Sequence, residues 1–170
     1  ELSKPWHAYL ARCHYLLRQG LFVADICYLN PEVAPQGYQG HERRGYDFDN
    51  CSAEVLLTRM TVKDGRIVLP DGMSYRVLAL PNVGAITPPV LRKIKELVAA
   101  GAKVVGPPPS RSPSLTGYPE CDQEVKRLAD ELWADGKIEA KKTPEQVLAA
   151  MGVPPDFTSD GNLRYIHRQA

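Results

Sequence analysis

Between Asn30 and Asn50 the sequence gathers Glu32, His41, Glu42, Arg43, Arg44, Asp47 and Asp49, with Tyr38, Tyr46 and Phe48 interleaved. Carboxylates beside aromatic rings suit a carbohydrate, offering acceptors for hydroxyls and a flat face for a sugar ring. Glu32, His41, Asp47 and Asp49 are therefore the candidates for the rim of a sugar site. Asp47 and Asp49 are also hard oxygen donors of the kind calcium takes. His41 has the titration range of a base, but the sequence supplies no partner to orient it. The plainer alternative is a solvated loop in which Asp49 or Asn50 caps a short helix through Leu56 and Leu57.

Other chemistry has weaker footing. Cys13, Cys27, Cys51 and Cys121 form no Cys-x-x-Cys pair, so neither a zinc knuckle nor a thioredoxin-type motif is supported. Cys13 on an apolar helical stripe, Cys27 in a strand and Cys51 at a helix start read as buried free thiols. The turns after Leu29, Leu80 and Val105 carry proline rather than the glycine run a dinucleotide needs, and proline removes amide donors. A nucleophile elbow would fall at Val105-Gly106-Pro107-Pro108, where no Ser or Cys stands. Ser110, Ser112 and Ser114 follow without flanking glycines, and read as loop serines. No cofactor is expected.

The elements that must position these groups alternate in type. Trp6, Tyr9, Leu10, Cys13, Leu16 and Leu17 recur at helical spacing, with Pro5 in the first turn and Gly20 at the stop. Leu21 to Leu29 is a nearly continuous apolar run, the signature of a strand covered on both faces. Asn30 to Asn50 reads as one loop, unusually long for a compact domain. Asp64-Gly65 and Asp71-Gly72 bracket Arg66–Leu69 as a small inserted ribbon. Tyr75–Leu80, a capped helix from Thr87-Pro88 to Gly101, and Ala102–Gly106 form a βαβ unit with parallel strands. A helix through Val125, Leu128, Ala129 and Leu132 follows. Lys137–Ala140 is a weak strand, and Thr143-Pro144-Glu145-Gln146 is a capping box. Leu163–Arg168 looks like a strand without a partner. The fold class is α/β with an open, mainly parallel sheet, flavodoxin-like in outline.

With 170 residues the chain suits one domain and is too short for a (β/α)8 barrel of roughly 250 residues. A net charge of +1, from 21 basic and 20 acidic residues, argues against a nucleic-acid or membrane-facing surface. No apolar run approaches the roughly 20 residues that cross a bilayer. The sequence begins at Glu1 rather than Met, so the gene product is expected to start earlier.

Four segments carry a family likeness. They are Gly45-Tyr46-Asp47-Phe48-Asp49, the long run Asp64-Gly65-Arg66-Ile67-Val68-Leu69-Pro70-Asp71-Gly72-Met73-Ser74-Tyr75-Arg76-Val77-Leu78, Leu115-Thr116-Gly117-Tyr118-Pro119-Glu120-Cys121-Asp122, and Pro155-Asp156-Phe157 with Ile166-His167-Arg168. Together with the Tyr9–Gly20 helix and the Val23–Tyr28 strand, they resemble glycoside hydrolase family 106, the α-L-rhamnosidases and their relatives. The likeness covers almost the whole chain.

The resemblance implies a large parent enzyme: a catalytic (β/α)8 barrel, then a class I glutamine amidotransferase-like three-layer α/β domain, then β-sandwich modules. This chain resembles the middle unit, with residues 1–157 as that domain and 158–170 as the start of a linker or of the next β module. It is also similar to the domain that follows the barrel in family 42 β-galactosidases. The family's acid and base are glutamates of the barrel, and no position here receives them. Calcium, if used, belongs to the parent enzyme. The expected role is a noncatalytic accessory domain that braces the barrel, its partners being the other domains of the same polypeptide. The alternative is a stand-alone carbohydrate- or small-molecule-binding module.

Two further expectations follow. An inverting glycosidase sets two carboxyl groups about 6.5–9.5 Å apart, and Glu32 with Asp47 or Asp49 is the pair the loop could offer. The face that meets the barrel is expected to be partly apolar, through Trp6, Tyr9 or Tyr15, so the unit alone would self-associate as a homo-oligomer. The compartment is not fixed by the sequence; the resemblance implies a periplasmic or secreted parent.

Overall fold

A computed structural model describes residues 3–34, 40–134, 136–161 and 163–170. Tyr38 of the long loop lies outside the described residues. In chain order the elements are α1 (Lys4–Leu17), β1 (Leu21–Phe22), β2 (Ile26–Leu29), β3 (Phe48–Cys51), α2 (Ala53–Arg59), β4 (Thr61–Lys63), β5 (Arg66–Val68), β6 (Ser74–Tyr75) and β7 (Val77–Ala79). Then come α3 (Pro88–Ala99), β8 (Lys103–Val105), α4 (Glu120–Trp133), α5 (Pro144–Ala150) and β9 (Arg168–Gln169).

The central sheet has the order β3-β2-β7-β8, every pair parallel. A single parallel bridge from Val105 to Glu139 is all that forms of the weak strand expected at Lys137–Ala140. Parallel strands must bury both faces. One face packs Cys27, Leu29, Leu78 and Val104 against Leu56 of α2, Val90, Leu91, Ile94 and Leu97 of α3, and Val125, Leu128 and Leu132 of α4. The other packs Ile26, Val77, Ala79 and Val105 against Val147 and Leu148 of α5. Each fully buried aliphatic side chain contributes about 1.5–3 kcal/mol through burial.

Two apolar runs are broken where the backbone changes sheets. The run from Leu21 to Leu29 divides into β1 and β2, and Tyr75–Leu80 divides at Arg76. Both breaks are fixed by Asp25: its carbonyl accepts from Arg76 N (2.8 Å) and Val77 N (3.1 Å), and its carboxylate accepts from Arg76 Nε (2.7 Å). β6 thus joins the antiparallel β4-β5-β6 ribbon, while β7 enters the parallel sheet. The β4–β5 turn has positive φ at both Asp64 (52°) and Gly65 (73°), as a two-residue hairpin with right-handed twist requires.

Three more expectations are corrected. The strand near the end is not partnerless, because Arg168–Gln169 pairs antiparallel with β1. The Asn30–Asn50 loop is shorter than read, since Phe48–Cys51 is the edge strand of the sheet, too polar and too short to register as one. The cap of α2 is Ser52, whose Oγ accepts from Val55 N (3.3 Å), while Asp49 and Asn50 lie in β3. Cys51 accordingly ends a strand. The capping box of α5 forms as read, with Thr143 and Gln146 bonded reciprocally.

α1 forms where the spacing places it and leaves Trp6, Tyr9 and Tyr15 open as the expected docking face would, but Cys13, expected to be buried, is not. None of its residues is buried, and Cys13 is only half-buried. Trp6 is 59% exposed, Tyr9 51%, Tyr15 66% and Leu16 66%.

Candidate functional site

The loop carboxylates are spread over two ends of the sheet. Glu32 follows β2 at its C-terminal end. There it bonds the start of α3, accepting from Thr87 N (2.8 Å) and from Thr87 Oγ1 (2.9 Å). Thr87 itself makes no side-chain cap, so the carboxylate from the neighbouring loop satisfies an amide that the helix leaves orphaned. Negative charge at a helix N-terminus is also favourable to the macrodipole. Asp47, in contrast, precedes β3 at the N-terminal end. The four-residue length of β2, about 13 Å of backbone, lies between the two ends, and each carboxylate is engaged by a different partner, Glu32 by Thr87 and Asp47 by Arg43.

Asp47 is 1% exposed. Its Oδ1 accepts from Arg43 Nε (2.6 Å) and from Phe48 N (3.1 Å), while Oδ2 is the buried side-chain oxygen without a partner among the described residues. Arg43 lies over the Phe48 ring, 5.6 Å from its centroid. Asp49 accepts from the buried Tyr75 hydroxyl (3.0 Å). Burial raises the Asp49 pKa, the Tyr75 bond counteracts this, and the nearby Asp47 charge adds to it. The same neighbourhood pushes the Tyr75 hydroxyl well above its ordinary value, chiefly by desolvation. His41 stacks on Tyr28 at 3.5 Å between centroids and 6° between planes, with Phe48 edge-on to both. Burial lowers the His41 pKa, which favours the neutral ring, with the Glu145 charge acting in the opposite sense.

His41, Arg43, Phe48 and Asp49 border a groove of about 870 Å³. One wall is His41–Gly45 with Phe48–Asn50; the other is Pro155, Phe157–Ser159, Gly161 and Leu163–Tyr165. Gly45 ties the walls together. Its carbonyl accepts from Asp156 N (2.7 Å), Phe157 N (3.3 Å) and Tyr165 Oη (3.3 Å). A Cβ on Gly45 would stand 2.7 Å from Pro155 Cβ, and φ is 84°, so only glycine fits this close approach. Tyr46 Oη adds a bond to the Val153 carbonyl (2.8 Å). Phe157 and Tyr165 stack at 4.8 Å, and desolvation pushes the Tyr165 pKa up to about 12.

The structure thus brings His41, Asp47 and Asp49 to one region and leaves Glu32 elsewhere. Tyr28, Phe157, Arg164 and Tyr165 complete that region and went unread. More than a hundred residues separate Gly45 from Phe157 and Tyr165, so no local pattern could join them. Asp47 and Asp49 are each engaged, one by Arg43 and one by Tyr75. Among the described residues no group of three or more His, Cys, Asp or Glu is placed to hold a metal ion.

A second groove, about 490 Å³, lies at the C-terminal end of the sheet between the starts of α3 and α4. Its serines are used internally: Ser114 N donates to Ser112 Oγ, Thr116 N to Ser114 Oγ, and Ser112 N to Asp122 Oδ1. Gly106, at the expected elbow, packs against Leu80, and its carbonyl accepts from Trp133 Nε1 (2.9 Å). That elbow is a packing device.

Comparison with known proteins follows the same lines. The family model described as alpha-L-rhamnosidase, glycoside hydrolase 106, matches residues 1–170. The chain belongs to glycoside hydrolase family 106. A protein of Formosa agariphila that carries the provisional name beta-glucuronidase is 37% identical over 98% of the chain. The solved rhamnosidase of Novosphingobium sp. PP1Y superposes with a TM-score of 0.86 at 31% identity over 99% of the chain. This family 106 chain spans only 15% of the first relative and 18% of the second. It therefore corresponds to one part of those much longer relatives.

Proposed function

We propose that the chain is a noncatalytic accessory domain of a larger family 106 glycoside hydrolase acting on α-L-rhamnosides, and that it braces the catalytic barrel. The observation that carries this reading is α1. A 14-residue helix with no buried residue and with Trp6, Tyr9, Tyr15 and Leu16 exposed gains little from tertiary packing here. Isolated helices of that length are marginal in water, so the face is built for another part of the polypeptide. The short share of its relatives that the chain spans supplies that part.

The carboxylates support the same reading, because each has a structural partner: Glu32 on Thr87, Asp47 on Arg43, Asp49 on Tyr75. A flavodoxin-like or class I glutamine amidotransferase-like shape is supported by strand order. Counting only parallel strands and the bridge at Glu139, the order is 2-1-3-4-5. Residues 1–157 form the domain in this reading, and 158–170 lead towards the next module while tied back through β9.

Hydrogen exchange tests the docking. The α1 amides are expected to be strongly protected in the full-length polypeptide and to exchange rapidly in the 170-residue chain. Equally rapid exchange in both would contradict the proposal.

A further inference from the structure

The groove between the 41–50 and 155–165 segments has features that bracing a neighbour does not use. Arg43 is held from behind. Its Nε donates to the buried Asp47 carboxylate and its plane rests over Phe48, yet its side chain is 43% exposed. Among the described residues no hydrogen bond uses its Nη nitrogens, so a fixed fork of donors faces the groove. Asp47 supports this fork from a site sealed from water, and its second oxygen has no partner among the described residues. An unsatisfied buried carboxylate oxygen costs stability, and it persists where a neighbouring group must be oriented.

Arg164, on the opposite wall, is exposed and has no ion-pair partner among the described residues. The remaining charges on the walls are Arg44, paired with Glu42 at 3.0 Å, and Asp49, bonded to Tyr75. The walls carry three guanidinium groups, of which Arg43 is paired with Asp47 behind it and Arg44 with Glu42, leaving Arg164 as the guanidinium without an ion-pair partner among the described residues. The stacked Phe157 and Tyr165 rings supply an aromatic surface on the same wall as Arg164. Guanidinium forks match carboxylates bidentately, and aromatic faces take the apolar side of a pyranose ring.

We propose that this groove binds an acidic saccharide, its carboxylate on Arg164 and the Nη nitrogens of Arg43 and its ring against Phe157 and Tyr165. Asp47 is the positioning residue behind Arg43. The groove runs along the edge strand β3 and shares no residue with α1. Its chemistry is binding alone.

Calorimetric titration of the 170-residue chain with a glucuronic-acid-terminated disaccharide tests it, with the glucose-terminated counterpart as the neutral comparison. The acidic sugar is expected to bind saturably in about the millimolar range, and the neutral one at least about tenfold more weakly. Arg164→Ala, an exposed change whose fold circular dichroism verifies, is expected to weaken the acidic sugar by about tenfold. Amide shift changes should centre on residues 41–50 and 157–165. No saturable binding, equal affinity for the two sugars, full affinity in Arg164→Ala, or shift changes centred elsewhere would each overturn the proposal.

Discussion

At the scale of single residues, the carboxylates of the polar loop are defined by what they accept. Asp47 is sealed against solvent and bonded to both Arg43 and the Phe48 amide. Replacing it by alanine removes a charged acceptor and strands two donors. Asp47→Ala is expected to lower the unfolding free energy by about 2 kcal/mol, less than a fully buried pair because Arg43 reaches solvent. Urea denaturation reads this directly, and a loss near zero would mean the pair is idle. His41 gives a pH signature. Burial lowers its pKa below the ordinary 6.5, so the unfolded chain takes up the proton first. The stability due to neutral His41 is complete above 6.5 and declines as pH falls towards the folded value. An NMR titration of the ring should find a midpoint below 6.5; a midpoint at or above it would contradict the stacked, desolvated site.

At the scale of elements, Glu32 shows how a residue suited to chemistry is absorbed by architecture. It closes the N-terminus of α3 across 55 positions of sequence. Glu32→Ala is expected to cost about 1 kcal/mol, as loss of a cap does, with no change in sheet content by circular dichroism. An unchanged denaturation midpoint would return Glu32 to the list of free carboxylates. Much of this level was readable in advance. The amphipathic stripes of α3 and α4, the capping box at Thr143 and the Asp64-Gly65 turn are local patterns, and local energetics enforce them. What was not readable depends on distant partners. β3 is a strand because Ile26–Leu29 offers it a ladder, although Phe48-Asp49-Asn50-Cys51 has little strand character. β9 forms only because β1 meets it, and the groove wall at Phe157 and Tyr165 exists only because Gly45 permits a close approach.

At the scale of the whole molecule, the 170 residues form a sheet covered on both faces, while one amphipathic helix is left open. The resemblance to family 106 was legible in the sequence, chiefly in the Asp64–Leu78 run, and the match over residues 1–170 bears it out. The exposed Trp6, Tyr9 and Tyr15 of α1 match the partly apolar face expected from the family resemblance, whereas periodicity alone marks an apolar stripe without saying which surface covers it. The central claim is that the catalytic groups of the parent enzyme lie outside this chain. Assay of the purified 170-residue chain with an aryl α-L-rhamnoside tests it most directly. No turnover above the uncatalysed background is predicted, whereas measurable hydrolysis that Asp47→Asn or Asp49→Asn abolishes would contradict it.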